Sequence, residues 1–208
     1  MKKYKTINSI NHVEFYCSAF SSTEKAKGFI DHIKKINGHS KIILYQTARM
    51  IYLAEIIHQK GRPSLQVLFF LIAAEAVAKL AYNFRGEGKS RHYVKKFFKN
   101  ICNTEHQNKL SRAFRKQITE IDFMSENYLT IDETIDFLYA IRCDVVHRGI
   151  YFDNLSLKDN LTDENELFTW NNQSISPNIS TNDLCNIIIE GTIIDCRMAL
   201  PENDAYKN

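Results

Sequence analysis

Residues 130–151, TIDETIDFLYAIRCDVVHRGIY, carry the clearest helix signals in the chain. Thr130 and Glu133 form a capping-box pattern, in which the hydroxyl accepts from the third helical amide and the carboxylate reaches back to the cap. The apolar residues that follow share one stripe of a helix, roughly 100° wide: Ile131, Ile135, Leu138, Val145 and Val146. The pattern predicts a helix that starts at residue 130, buries this stripe and ends at Gly149, a natural C-cap.

Arg142 lies in the middle of that apolar stripe. A guanidinium is always charged, so its burial is costly unless it meets a carboxylate or a phosphate, or lies at an interface. His147 follows in the last turn of the same helix. On an ideal α-helix the two residues are about 140° apart around the axis and about 7.5 Å apart along it. We therefore expect them to meet one target only at the rim of a groove or across a two-fold interface.

The composition favours a single helical domain. The chain has 208 residues, 44% of them hydrophobic, with only 3 Pro and 7 Gly, which suits one core and argues against a sandwich. Its five cysteines include no CxxC pair, so neither a disulfide framework nor a zinc site is indicated. Without a signal-peptide pattern or an apolar run of roughly 18 residues, we expect a soluble, cytoplasmic protein that does not contact membranes.

Charge changes sign along the chain. Residues 1–62 carry 11 basic and 4 acidic side chains, residues 63–150 carry 13 and 10, and residues 151–208 carry 3 and 10. The net charge of these segments is therefore +7, +3 and −7. The basic part favours a polyanionic partner such as RNA, whereas the acidic end repels one.

Helical periodicity and turn residues divide the chain into four segments. Residues 1–40 read as an N-terminal extension, residues 41–150 as the core bundle, residues 151–180 as an insertion and residues 181–200 as the final helix. The insertion is acidic and Asn-rich, with a short strand expected at 167–170, and is compatible with a β-hairpin. The predicted fold class is mainly all-α: a helical bundle with a short acidic, hairpin-like insertion before the last helix.

Three local predictions complete this description. Val13, Phe15 and Cys17 alternate with more polar residues, which predicts a short strand over 11–17. Ser21 and Glu24 form a capping box that opens a helix through Ile36, and residues 105–119 read as another helix. The last eight residues are expected to be a frayed tail.

Glu75 is the one acidic residue within LFFLIAAEAVAKL, residues 68–80, which is apolar almost all round. One interpretation pairs Glu75 with Lys79 at i, i+4 on the same helix. The other makes Glu75 the buried partner of Arg142, since each is the misplaced charge on its helix. The sequence leaves both open.

A basic run follows the Gly86–Gly88 turn, and it also has two interpretations. As the polar side of an amphipathic helix it would only face solvent. As an RNA-binding patch, together with a cation in the motif helix, it would contact phosphates. The residues in this candidate patch are Arg91, His92, Lys95, Lys96, Lys99 and Arg148.

Common enzyme signatures such as a Gly-rich phosphate loop, HExxH or GxSxG are absent from the sequence. The stretch LYAIRCDVVHRG, residues 138–149, instead resembles the HEPN superfamily, and in particular its Apea-like branch, whose hallmark is an Arg-x4-6-His motif on a late helix. The helix that carries Glu75 resembles an early family helix with an acidic residue. The resemblance covers about residues 41–150.

This resemblance implies a homodimeric, metal-independent endoribonuclease with no cofactor, whose composite active site lies between two motif helices. Arg142 and His147 are the expected catalytic residues, with Asp144, Glu75 and Tyr151 as nearby support. Histidine can exchange a proton with the ribose 2′-OH and arginine can hold the charged phosphorane, which leaves a 2′,3′-cyclic phosphate. Phage defence or a toxin–antitoxin pair, with a nucleotidyltransferase antitoxin or another regulatory partner, is the implied setting.

Two other classes of function remain open. Arg142 and His147 would be structural if Glu75 satisfied the first and the helix dipole the second, and the protein would then be a non-catalytic HEPN-like module that binds RNA or nucleotides or dimerises. A helical regulator that binds nucleic acid through its basic half ranks last, because no helix-turn-helix recognition helix is evident.

Overall fold

A computed structural model describes residues 10–36, 38–58, 63–117, 127–149 and 168–207. Within these ranges the protein is mainly helical, as predicted, with eight α-helices and one small sheet. The helices are α1 (His12–Tyr16), α2 (Thr23–Ile36), α3 (Gly38–His58), α4 (Pro63–Ala81), α5 (Ser90–Lys96), α6 (Thr104–Leu110), α7 (Ile131–Cys143) and α8 (Thr181–Met198). The strands are β1 (Phe114–Lys116), β2 (Phe168–Trp170) and β3 (Gln173–Pro177).

Helix α4 is the centre of the bundle, as its all-round apolar sequence predicts. It packs most extensively on α3 and also contacts α5, α7 and α8. Phe70, Leu71 and Val77 are at most 1% exposed. By length and composition alone α4 could cross a membrane, but 56% of its Ser64–Ala81 window is buried inside the protein, which is the environment of a core helix.

One contiguous cluster of buried side chains includes both ends of the described chain. Phe29 and Ile33 of α2 and Ile188 of α8 are fully buried in this cluster. Thr47 of α3 and Thr192 of α8 share a buried hydrogen bond of 3.2 Å. The expected boundary between residues 40 and 41 falls within the first turn of α3.

The strand predicted over residues 11–17 is wrong, because these residues form α1 and a following 3₁₀ turn. The Asn11 side chain accepts from the amides of Val13 and Glu14 at 3.2 and 3.4 Å and so caps a helix. Tyr16 is fully buried and donates its hydroxyl to the Leu44 carbonyl at 2.7 Å. The side-chain cap and the buried Tyr16 contact therefore determine the secondary structure here more strongly than the short apolar alternation does.

The helix predicted over residues 105–119 is also wrong in its second half. Helix α6 ends at Leu110, and Phe114–Lys116 form β1, which pairs antiparallel with β3. Ala113 and Phe114 are buried, Ala113 just before the strand and Phe114 on it. The partner strand lies far along the chain, so local periodicity could not reveal it; residues 118–119 lie outside the described ranges.

The β-hairpin expected before the last helix is present in the part of the insertion that the structure describes. Strands β2 and β3 pair antiparallel, with Trp170 opposite Gln173. The two residues between them, Asn171 and Asn172, both have positive φ, 50° and 60°. This is the backbone that a two-residue type I′ turn requires and that asparagine tolerates well.

Helix α8 begins with a capping box of Ser180 and Asp183. The tail that follows is docked, so the prediction of fraying is wrong. Asp204 lies 2.6 Å from Nε2 of His32, and the Tyr206 ring packs edge-on against Phe29. Lys207 donates from Nζ to two carbonyls at the end of α8, at 2.8 and 2.9 Å, which satisfies groups that a helix leaves unpaired.

Asp195 on α8 provides a test of the packing. It is 5% exposed, and burial raises the pKa of its carboxyl to about 7. Because this exceeds the ordinary value of 3.8, the folded state must hold an ionised buried carboxylate above pH 7. The resulting loss of stability builds between about pH 4 and pH 7 and is complete above that range.

We therefore expect Asp195→Asn to stabilise the protein, by up to about 4 kcal/mol at pH 8 and by less at pH 5. Denaturant unfolding at the two pH values measures the difference. Glu202→Gln is the control, because the Glu202 side chain is 91% exposed and its neutralisation should change stability little at either pH. An equal effect of Asp195→Asn at both pH values would contradict the assignment.

Candidate functional site

The motif helix α7 begins where the sequence predicts. The Glu133 amide donates to Thr130 Oγ1 at 3.3 Å, and the Glu133 carboxylate accepts from the Thr130 amide at 2.8 Å. Ile135 and Leu138 are buried, at 0% and 1% exposure. Gly149 ends the helix with a φ of 63°, the left-handed conformation expected of a C-cap.

The last turn of the motif helix is a π-helix, over Asp144–Arg148. In it the Gly149 amide donates to the carbonyl of Asp144, five residues earlier. Such π turns are rare in proteins overall, but those that occur often lie at functional sites. Because a π turn holds more residues than an α-helical turn, the ideal α-helical angle of about 140° does not apply between Arg142 and His147.

Arg142 is mostly buried, with 16% of its side chain exposed. Its Nη2 lies 3.7 Å from Oε2 of Glu75. The guanidinium carbon lies 5.2 Å from the ring centroid of Tyr139, and Nη1 is 3.5 Å from the Tyr139 hydroxyl. The buried Nε of Arg142 has no hydrogen-bond partner within the described part of the chain.

Both interpretations of Glu75 are confirmed, because the carboxylate serves two cations and a hydroxyl. Lys79 Nζ lies 2.7 Å from Oε1, and the Ser90 hydroxyl donates to the same oxygen at 2.7 Å. Arg142 approaches the other oxygen, at 3.7 Å. Lys79 is therefore the tight partner and Arg142 the looser one, and Glu75 links α4 to α5 and α7.

The polar contacts of Arg142 are longer than good charge-assisted hydrogen bonds, which are about 2.7–2.9 Å. An arginine has five N–H donors, and the described residues leave some of those of Arg142 without a close partner although it is mostly buried. A mostly buried cation with spare donors can bind a further partner. The simplest one is an anion that arrives from outside, because planar guanidinium binds phosphate well.

His147 is exposed and has no hydrogen-bond or ion-pair partner among the described residues. Val146 beside it is 49% exposed, so the prediction that Val146 belongs to the buried stripe is wrong. Asp144 pairs with Arg148 at 3.3 Å, and the Arg148 side chain remains 69% exposed. Tyr151, the remaining support residue, lies outside the described residues.

Three of the cations expected to bind RNA are paired with acids of α7. Arg91 donates to both carboxylate oxygens of Asp136, at 2.8 and 2.6 Å. Lys95 contacts Asp132 at 3.3 Å and Asp136 at 3.0 Å, and Lys99 contacts Asp132 at 2.7 Å. This ion-pair ladder fastens α5, and the π-helical turn Phe97–Ile101 that follows it, to α7 and partly neutralises the patch.

The other two candidates on α5 have no acidic partner within the described residues. Lys96 Nζ lies 3.8 Å above the ring of Tyr82, a cation–π contact. His92 is exposed and packs edge-on against the ring of Tyr93. Among the candidate RNA-binding residues on α5, Lys96 and His92 are therefore the two that form no ion pair with a described carboxylate.

Two residues of the Arg142 environment were missed by sequence reasoning. Tyr139 precedes Arg142 by three residues, and the i, i+3 spacing on one helix face could have indicated their contact. Ser90 approaches Glu75 from the start of a different helix, so no local signal identifies it.

Comparisons with protein-family models, with functionally described proteins and with solved structures find no match for this chain.

The ion-pair ladder leads to a stability prediction. The hydrogen bond from Arg91 lowers the pKa of Asp136 below its ordinary value, so this carboxylate stabilises the fold above about pH 4 and loses that effect as pH falls through the lowered pKa. We expect Asp136→Asn to cost roughly 1–2 kcal/mol at pH 7. Denaturant unfolding should show a smaller cost near pH 3 and in 1 M salt.

Asp31→Asn is the matched control for this prediction. Asp31 is 47% exposed and its nearest cation, Lys34, lies at 4.0 Å, so the substitution should change stability by less than about 0.5 kcal/mol. A cost of Asp136→Asn that does not depend on pH or salt would contradict an electrostatic role for the ladder.

Proposed function

We propose that this protein is a metal-independent endoribonuclease of the HEPN type, with Arg142 and His147 as its catalytic residues. The observation that carries the proposal is the state of Arg142: a mostly buried guanidinium whose nearest carboxylate oxygen is 3.7 Å away and whose Nε is unpartnered among the described residues. His147 follows through a π-helical turn and is exposed to a substrate.

The chemistry assigned to the pair is internal transphosphorylation. His147 accepts the proton of a ribose 2′-OH, the 2′ oxygen attacks the adjacent phosphorus, and the bond to the 5′ oxygen breaks. Arg142 stabilises the additional negative charge on the phosphorane. The leaving 5′ oxygen takes up a proton, which gives a 2′,3′-cyclic phosphate and a 5′-hydroxyl end.

A homodimer suits this chemistry because the reaction needs both a proton acceptor and a proton donor. His147 can serve as one of these at a time, and a second copy of the motif helix supplies a second histidine. Exposed Val146 beside His147 offers apolar surface to such a contact. A role in phage defence or in a toxin–antitoxin pair, and control by a nucleotidyltransferase partner, rest on the family resemblance alone, and a cytoplasmic location rests on the sequence pattern.

The Arg142–Glu75 contact favours a second candidate, a non-catalytic HEPN-like module that binds RNA or nucleotides or dimerises. Two mostly buried opposite charges on neighbouring helices can exist for packing alone. On that account Arg142 would remain with Glu75 when RNA is bound, and His147 would have no chemical role.

A cleavage assay separates the two candidates. Purified protein is incubated with end-labelled single-stranded RNA in EDTA, and the ends of the products are analysed for a cyclic phosphate. We expect cleavage that falls about 100-fold or more in His147→Ala, through loss of proton transfer, and by a similar factor in Arg142→Ala, through loss of phosphorane stabilisation.

His12→Ala is the control for removal of a histidine, since His12 lies on α1 and packs against Tyr45. The cleavage activity of this variant should be unchanged. Light scattering on each variant reports the oligomeric state. Equal cleavage by His147→Ala, or an absolute requirement for added metal, contradicts the ribonuclease. RNA that is bound but never cleaved, with or without metal, supports the non-catalytic module.

A further inference from the structure

A groove of about 610 Å³ lies beside the candidate site, where α7, the start of α5 and the β2–β3 hairpin meet. Tyr139 and Cys143 of α7 form one side and Trp170 of β2 lies on another. Cys143 follows Arg142 directly in the chain, and the Arg142 guanidinium lies over the ring of Tyr139. The groove and Arg142 are therefore neighbours, with Tyr139 common to both.

The two aromatic side chains of the groove are held in place by the fold. Trp170 packs edge-on against Phe137, with ring centroids 5.7 Å apart, and stands at the end of a strand closed by a two-residue turn. Tyr139 is held on a helix and by its contact with Arg142. Both rings are half-buried, so each retains accessible surface. Aromatic rings positioned in this way offer stacking surfaces to a flat ligand.

The polar groups of the groove differ in whether they are free to bind a ligand. The acids are already used: Glu133 accepts from Lys116 and the Thr130 amide, and Asp136 accepts from Arg91 and Lys95. The side-chain amides of Asn171 and Gln173 are exposed and have no partner among the described residues.

Each of these amides offers both a hydrogen-bond donor and an acceptor. Such groups match the edge of a nucleobase, which presents donors and acceptors in one plane. Arg91, whose side chain is 58% exposed, adds a planar cation that can also stack on a base.

We propose that this groove binds one unstacked nucleobase of single-stranded RNA against Trp170 and Tyr139, and that the adjoining phosphate reaches Arg142. The inference rests on the proposed function, because Arg142 is taken as the phosphate-binding group. It adds a substrate class: single-stranded RNA, since a paired and stacked base cannot present its face to a protein ring.

Trp170 makes the proposal directly testable, because it is the one tryptophan in the sequence. The His147→Ala protein, which leaves RNA intact, is titrated with a single-stranded oligoribonucleotide. The fluorescence of Trp170 is recorded during the titration. We expect saturable quenching. The same RNA as a duplex, and an abasic ribose-phosphate oligomer of equal length, should bind at least about 10-fold more weakly and leave the fluorescence almost unchanged.

Substitutions in the same background locate the binding. Measured by anisotropy of labelled RNA, Trp170→Leu and Tyr139→Leu should each raise the Kd by about 10-fold, while Trp170→Phe keeps a stacking ring and most of the affinity. Tyr45→Leu is the matched control, since Tyr45 is an exposed aromatic residue on α3, and should leave the Kd unchanged. Thermal unfolding of each variant identifies one that fails to fold, in which case the Trp170→Phe comparison and the fluorescence titration decide.

The outcomes separate this inference from the proposed function. If RNA is cleaved but neither Trp170→Leu nor Tyr139→Leu changes the Kd, the base site is wrong and the ribonuclease stands. If single-stranded RNA quenches Trp170 and is never cleaved by the unmodified protein, the base site stands and the ribonuclease is wrong. Absence of quenching, or equal quenching by duplex or abasic oligomers, overturns the base site.

Discussion

Glu75 is a mostly buried carboxylate on the central helix, and the arrangement of three helices depends on its charge. Lys79 and Ser90 hold one of its oxygens at 2.7 Å, while Arg142 lies 3.7 Å from the other. Removal of one member of a buried charge pair leaves the other uncompensated, at a cost of several kcal/mol. Glu75 therefore contacts α5 and α7 from α4, at the point where the motif helix presents Arg142.

The unequal distances around Glu75 also connect structure to the proposed chemistry. Lys79 can neutralise Glu75 by itself, so Arg142 is not bound to its carboxylate as a tight ion pair. An incoming phosphate could then take the guanidinium without leaving Glu75 unpaired. His147 lies on the nearby π-helical turn at Asp144–Arg148, and a neighbouring groove offers aromatic rings beside the same arginine.

Local sequence signals were sufficient where a helix is defined by its own ends and its own apolar face. The capping boxes at Thr130 and Ser180 mark the starts of α7 and α8. The same reasoning failed over residues 11–17, where Asn11 caps a helix, and over residues 111–117, where Phe114 pairs with a strand distant in the chain. The tail is likewise held by contacts of Tyr206 and Asp204 with α2. The residues next to them in the sequence do not predict these contacts.

The sequence by itself determined that the protein is a helical bundle, that α4 is its centre, and that Arg142 and Glu75 are charges in need of partners. Each of these follows from periodicity, or from the cost of burying a charge, and both are properties of a single segment. Only the tertiary structure decided that Arg142 lies 3.7 Å from Glu75, that α7 acids pair with the cations on and just after α5, and that Trp170 lies near Tyr139. These outcomes depend on distances between segments remote in the chain, which no local pattern encodes.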